Sequence, residues 1–265
     1  MPAGAPPAAG CGPGPAPGLA AAEPFGSAAA GAVADDPGRL LPVLEVETAP
    51  SPRFSVIWLH GLGADGAAFR PVVPMLRLGM VPAVRFVFPT APAIPVTSRG
   101  GAILGAWYDI LSAARNARRI DESSLLRSRE AIRRLIRHEN GRGIPEERIF
   151  VAGFSQGGAM AYATGLTHAG RLAGVIALSA YLPASELVGQ EVAGGPRATP
   201  IFAAHGTEDP VVSLAFAEEA RDTLLALGYP LEWRTFPMPH SVCIRELRAV
   251  GAWLRQRMAA LERAA

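Results

Sequence analysis

The sequence contains no lysine and only two cysteines, Cys11 and Cys243. Two cysteines so far apart build neither a disulfide framework nor a metal-binding motif, so we expect a reducing compartment such as the cytoplasm and no metal site. All 25 basic residues are arginine, and with 23 acidic residues they leave a formal net charge of +2. That small excess argues against a nucleic-acid partner. No stretch of about 18 apolar residues is free of charges and turn formers, so we expect no membrane-spanning helix and no stable membrane anchor.

The first 38 residues differ in composition from the rest, because Ala, Gly and Pro fill 29 of these positions. Such a stretch cannot build a packed core, and it lacks the basic start and unbroken apolar segment of a signal peptide. We therefore predict a disordered tail over residues 1–38 and a single domain over residues 39–265. The chain is 49% hydrophobic, which suits a globular domain with a sizeable core.

Short apolar runs alternate with helical patterns after residue 40. Several of these runs are continuously apolar, as parallel strands buried on both faces are. The predicted strands span residues 41–48, 53–61, 83–89, 148–154, 172–180, 200–206 and 231–237. Amphipathic helices are predicted over residues 122–140 and in the segment after His240. This alternation predicts the α/β class, with a mostly parallel central sheet and helices on both faces.

Residues 91–120 show no clear periodicity of either kind. A stretch of this length inside a compact domain is usually functional or disordered. Trp107, Tyr108 and several aliphatic residues argue against disorder. We therefore expect an insertion that covers the substrate.

A nucleophile motif, the nucleophile elbow, occupies residues 153–157, where Ser155 stands in the frame G-x-S-x-G after a predicted strand and before a predicted helix. The turn is so tight that side chains at the glycine positions would clash. It lifts the serine hydroxyl above the sheet, beside the first N–H groups of the next helix. A glycine-rich packing turn is the alternative, and the strand-turn-helix context favours the nucleophile.

A base is needed next, because a serine hydroxyl is a poor nucleophile until its proton is removed. Three histidines follow Ser155. His168 ends the elbow helix and is expected at the surface, and His205 ends a strand. His240 alone lies in a late strand-to-helix loop, as the chain order serine, acid, histidine requires.

The acid should follow the strand over residues 200–206, where Glu208 and Asp209 both stand. We favour Asp209 because it precedes Pro210 at an expected helix entry. An aspartate in such a place also caps the helix N-terminus, and the two roles are compatible.

Backbone N–H groups are expected to hold the oxyanion that forms when the serine attacks. One is that of Gln156, directly after the nucleophile, and the other comes from an early strand-helix loop. The glycine-rich stretch over residues 58–66 supplies that loop, with Leu62 as the expected donor. His60 is expected to orient the loop.

Six blocks of the sequence resemble the carboxylesterase and acyl-protein thioesterase family of small α/β hydrolases, in the family's order and over roughly residues 40–258. They are LHGLGADG, FPTAP, AWYDI, GFSQGGAMA, HGTEDPVV and PHSV. The resemblance implies the α/β-hydrolase fold. It also implies a catalytic triad of Ser155, Asp209 and His240, and an oxyanion hole from the N–H groups of Leu62 and Gln156. The AWYDI block points to Trp107 as a substrate-binding residue beside the acyl group.

The implied activity is hydrolysis of small-molecule carboxylic esters, of short to medium acyl length, through an acyl-enzyme and without a cofactor. The alternative is an acyl-protein thioesterase or lysophospholipase that acts on longer acyl chains. A non-catalytic binding protein on the same fold is disfavoured because all three triad residues are present. A homodimer is left open. The sequence departs from the family at Ser98 and Arg99, which puts the acyl preference in question and not the reaction.

Overall fold

Seven strands form one sheet in the computed structural model, which describes residues 39–114, 117–183 and 198–264. In chain order the strands are β1 (Val43–Glu47), β2 (Phe54–Leu59), β3 (Val84–Pro89), β4 (Ala93–Val96), β5 (Ala102–Gly105), β6 (Ile110–Ala114), β7 (Ala117–Ile120), β8 (Ile149–Phe154), β9 (Gly174–Leu178), β10 (Ile201–Gly206) and β11 (Leu231–Phe236). The α-helices of the described residues are α1 (Val72–Met75), α2 (Glu122–Gly141), α3 (Gln156–Gly165), α4 (Leu214–Ala226) and α5 (Ile244–Arg263). The tail predicted over residues 1–38 lies outside the described residues.

The strands of the large sheet follow the order β1-β3-β2-β8-β9-β10-β11. Only β1 runs antiparallel to its neighbour β3, and every other neighbouring pair is parallel. Each of these strands lies within a predicted run, so the prediction of a mostly parallel sheet is confirmed. The carboxyl ends of the parallel strands meet at one edge, where α/β proteins place their sites.

Two hydrophobic cores cover the two faces of the sheet. On β2, Ile57 and Leu59 point into the core that α2 and α3 complete, whereas Val56 and Trp58 point into the core that α1 and α5 complete. Strands buried on both faces favour apolar residues at nearly every position, which explains the long apolar runs in the sequence. No helix of the described ranges is long and apolar enough to cross a membrane.

The strands within residues 91–114 and 117–120 form two antiparallel pairs, called the two hairpins, where the sequence showed no periodicity. Strand β4 pairs with β5, and β6 pairs with β7. Gly100 and Gly101 make the turn between β4 and β5 at φ of 67° and 81°, a conformation that favours glycine. These strands have only four or five residues, too few for an alternating pattern to stand out.

Candidate active site

Ser155 lies on a strained turn between β8 and α3, at φ 55° and ψ −120°. Few residues other than glycine adopt such a conformation. The turn is fixed from both sides, because the Ser155 N–H donates to Leu178 O at 2.8 Å and its carbonyl accepts from Ala159 N at 3.0 Å. The hydroxyl therefore stands at the carboxyl edge of the sheet, as the sequence predicts.

The two glycines of the motif are required by space. A Cβ at Gly153 would lie 2.2 Å from Gly157 O, and a Cβ at Gly157 would lie 2.3 Å from Leu59 O. Contacts this short do not occur for real side chains. The first helical turn thus packs directly on β8 and on the end of β2, which brings the serine beside the loop after β2.

His240 connects the serine to the acid. Its Nε2 lies 2.8 Å from Ser155 Oγ, and its Nδ1 lies 2.6 Å from Asp209 Oδ2. An ionised carboxylate only accepts hydrogen bonds, so Nδ1 carries the proton and Nε2 is free to accept the serine proton. His240 is 8% exposed as a residue, and its ring centroid lies 4.8 Å from that of Phe154.

The Asp209 side chain is fully buried and fully hydrogen-bonded. Its Oδ1 accepts the N–H groups of Val211 at 2.8 Å and Val212 at 2.9 Å, while Oδ2 faces His240. Burial alone would raise the pKa of Asp209, but the hydrogen bonds from His240, Val212 and Val211 outweigh it and hold the pKa below its usual value. Asp209 is therefore ionised at neutral pH and favours the Nδ1–H tautomer of His240.

The loop after β2, residues 60–65, is called the oxyanion loop and passes directly beside Ser155. A Cβ at Gly61 would lie 3.5 Å from the Ser155 Cβ. The N–H of Leu62 has no partner within the described part of the chain, whereas the next N–H, of Gly63, donates to Gly105 O at 2.8 Å. Gln156 is the first residue of α3, so its N–H has no partner inside the helix. Both predicted oxyanion donors are thus free of backbone partners.

His60 holds this loop in place from below. Its Nε2 accepts the Ala91 N–H at 3.0 Å, so its proton lies on Nδ1, which faces Gly61 O at 2.7 Å. Burial lowers the pKa of His60 to about 4, and the ring is neutral. The structure places His60 where it orients the loop, with Ala91 as a partner that the sequence did not reveal.

Trp107 lies behind the same loop with no exposed surface. Its indole Nε1 donates to His60 O at 2.8 Å, and the two rings lie 5.2 Å apart. The contact shown is with the oxyanion loop, so a contact between Trp107 and the acyl group stays a prediction.

The side chain of Gln156 has a role that the sequence did not reveal. Its Oε1 accepts the Trp107 N–H at 2.9 Å, and its Nε2 donates to Tyr108 O at 2.8 Å. One buried amide therefore fixes the segment between β5 and β6 to the start of α3. The signal in the sequence was the AWYDI block, but nothing in it identified the partner 49 residues away.

His168 and Glu208 take no part in the hydrogen-bonded chain from Ser155 through His240 to Asp209. His168 Nε2 lies 3.0 Å from Glu146 Oε2. The His168 side chain is only 10% exposed, so it does not have the surface position that the sequence predicts. Glu208 is exposed, which leaves Asp209 as the acid that meets His240. Over the described ranges, no group of three or more His, Cys, Asp or Glu side chains is placed to hold a metal ion.

The two hairpins border this edge of the sheet. Gly105, at the end of β5, accepts the Gly63 N–H of the oxyanion loop. On the other side, Arg118 of β7 donates to Val211 O at 2.6 Å, beside the Asp209 turn. The insertion is therefore attached to both the oxyanion loop and the acid turn.

Comparison with known proteins finds relatives in both sequence and structure. A model of the phospholipase/carboxylesterase family matches residues 44–258. The chain is 40% identical over 231 residues to acyl-protein thioesterase 1 of Neurospora crassa, covering 84% of this chain and 92% of that protein. It is 31% identical over 208 residues to carboxylesterase SOBER1 of Arabidopsis thaliana, covering 78% and 91%. The crystal structure of SOBER1 superposes with a TM-score of 0.73 at 30% identity, over 78% of this chain and 99% of that chain.

Proposed function

Since the chain belongs to the phospholipase/carboxylesterase family of α/β hydrolases and is a carboxylic ester hydrolase, we propose that it cleaves its substrate through an acyl-enzyme on Ser155. The observation that carries this proposal is the continuous hydrogen-bonded chain from Ser155 Oγ through His240 to Asp209, with distances of 2.8 and 2.6 Å. The serine, base and acid lie in the order and geometry that acyl transfer uses.

In the first half of the reaction, His240 Nε2 takes the Ser155 proton while Oγ attacks the ester carbonyl. The Leu62 and Gln156 N–H groups stabilise the oxyanion of the tetrahedral intermediate. Asp209 keeps the imidazole oriented and stabilises its positive charge. The intermediate then collapses, the C–O bond to the alcohol breaks, and His240 returns the proton to the departing oxygen.

In the second half, water replaces the alcohol. His240 removes a proton from the water, which attacks the acyl carbonyl, and the carboxylic acid leaves as Ser155 Oγ regains its proton. Apart from the substrate and water, every step uses side chains and backbone N–H groups of this chain.

The proposed substrates are esters of short to medium acyl length, held under the two hairpins. A second candidate, hydrolysis of long-chain acyl thioesters on proteins, is supported by the names of the relatives, of which several are acyl-protein thioesterases. The chemistry at Ser155 is the same for both, so only the acyl site separates them.

A series of acyl lengths, prepared as oxygen esters and as thioesters, distinguishes the two: kcat/KM is expected to peak at short to medium oxygen esters. A peak at long-chain thioesters would favour the second candidate.

The acyl-enzyme itself is tested with Ser155→Ala. The variant loses only a hydroxyl, so it should fold normally, yet kcat should fall by roughly four to six orders of magnitude. A phosphonate ester should label Ser155 in the parent protein and leave the variant unmodified. Ser213→Ala, at the start of α4, is the matched control and should keep the parent rate. Near-parental hydrolysis by Ser155→Ala would contradict the proposal.

A further inference from the structure

His205 is a second buried histidine beside Asp209, and the reaction steps above leave it unused. It lies near the end of β10 with no exposed surface. Its Nε2 is 2.9 Å from Val212 O and 3.5 Å from Asp209 Oδ2. The acid therefore stands between two imidazoles.

The contacts of His205 define its protonation state. A carbonyl oxygen only accepts, so Nε2 carries the proton that faces Val212 O. Nδ1 is buried and finds no hydrogen-bond partner among the residues that the structure describes. A second proton there would be buried without an acceptor, and burial accordingly lowers the pKa of His205. The ring is neutral and offers a single N–H.

That N–H is aimed at the turn that holds the acid. The Val212 N–H donates to Asp209 Oδ1 at 2.9 Å. The Val212 carbonyl accepts the hydrogen bond from His205 Nε2. The same His205 proton also faces Asp209 Oδ2, the oxygen that bonds His240. His205 thus contacts both the turn that supplies donors to Oδ1 and the oxygen that meets the base.

We propose that His205 is a positioning residue that holds Asp209 and the 209–212 turn so that Oδ2 meets His240 Nδ1. The inference rests on the proposed function of Asp209. His205 stays neutral throughout and transfers no proton. A small displacement of the acid would turn the His240 ring away from Ser155, and misplacements of about 1 Å are known to cost about 100-fold in rate.

The test compares two replacements of His205 for kcat, KM and melting temperature on an activated short-chain ester. His205→Leu fills the space without a donor and should lower kcat by about 10- to 100-fold with KM nearly unchanged. His205→Gln places an amide N–H near the Nε2 position and should recover to within about fivefold of the parent kcat. If His205→Leu does not fold, His205→Asn takes its place in the comparison. The asparagine amide reaches only the Nδ1 position, so this variant also lacks a donor at the Nε2 position.

The control for destabilisation alone is Ile201→Ala, on the same face of β10 and away from the site. It should lower the melting temperature and leave kcat intact. An equal loss of kcat in Ile201→Ala, or parental kcat in His205→Leu, would overturn the proposal. So would a failure of His205→Gln to recover activity.

The second part places His205→Leu in an Asp209→Asn background. If His205 acts through Asp209, the double variant should have the kcat of Asp209→Asn alone, because the two residues form one unit. Losses that multiply would show that His205 acts elsewhere and would overturn the inference. Parental activity of the Asp209→Asn single variant is a separate result: it would contradict the role proposed for the acid, and the inference would fall with it.

Discussion

Glu246 has an environment that is unusual for an acidic residue. It lies in the first turn of α5, yet it has no exposed surface. Its backbone N–H donates to Cys243 Sγ at 3.4 Å, and its carboxylate turns back toward the Cys243 N–H, as in a capping box. Neither carboxylate oxygen makes a hydrogen bond of ordinary geometry within the described residues. Burial therefore raises the pKa of Glu246 from 4.5 to about 8, and the Cys243 N–H offsets only part of this rise.

This raised pKa makes stability depend on pH. Between pH 5 and 8 the folded chain keeps the Glu246 proton and the unfolded chain loses it, so Glu246 lowers the free energy of unfolding as pH rises through that window. Glu246→Gln removes this loss and keeps the capping geometry. We expect the variant to gain stability over the parent from pH 5 to 8, reaching at least about 1 kcal/mol at pH 8, and to gain no more above it.

Chemical denaturation at several pH values measures this difference. Glu219→Gln, on the exposed side of α4, is the matched control and should follow the pH dependence of the parent. A gain from Glu246→Gln that is the same at pH 5 and pH 8 would show that Glu246 is equally protonated in the folded and unfolded chains over this range, so that burial does not raise its pKa.

The elbow is an element in which sequence and structure correspond closely. The spacing of Gly153, Ser155 and Gly157 predicts a sharp strand-to-helix turn, and each glycine is required by a close backbone approach. The α/β-hydrolase arrangement places the acid and the histidine after the serine, and Asp209 and His240 fit that order. The hydrogen bonds of Gln156 with Trp107 and of His60 with Ala91 could not be predicted, because contacts between residues far apart in the sequence leave no periodic pattern.

Gly157→Ala tests the packing of this element. Its Cβ would lie 2.3 Å from Leu59 O and 2.5 Å from His60 O, so α3 must move away from the oxyanion loop. We expect a stability loss of about 3 kcal/mol or more, together with a fall in kcat of at least about tenfold, because the loop and Ser155 separate. Thermal unfolding and ester hydrolysis measure the two effects.

The matched control is Gly141→Ala, at the end of α2, where a Cβ meets nothing within 4 Å. Alanine is a better helix former than glycine, so this variant should be as stable as the parent or more stable by about 0.5 kcal/mol. Equal behaviour of Gly157→Ala and Gly141→Ala would mean that the elbow tolerates a side chain and that its tight packing is unnecessary.

At the scale of the whole molecule, the centre of the sheet was predictable because β2, β3, β8, β9 and β10 are buried on both faces and appear as nearly unbroken apolar runs. The two hairpins were not, since Pro95, Ser112, Arg118 and Arg119 interrupt their short strands and leave no unbroken apolar run. They depend on contacts with the rest of the chain, such as the Gly63 N–H to Gly105 and Arg118 to Val211. The edge strand β1 is a third case: its alternation of exposed and half-buried residues fits a strand covered on one side.

The extent of the domain is tested by two deletions at the N-terminus. The described strands and helices begin at Val43, and the family match begins at residue 44. Deletion of residues 1–38 should therefore change the melting temperature by less than about 2 °C and kcat/KM by less than about twofold.

Deletion of residues 1–47 also removes β1, which pairs with β3 over five residues and supplies Glu45 to Arg142. That second variant should melt at a clearly lower temperature, because the edge of β3 loses its hydrogen-bond partners. If the shorter deletion lowered the melting temperature as much as the longer one, residues 1–38 would belong to the folded domain.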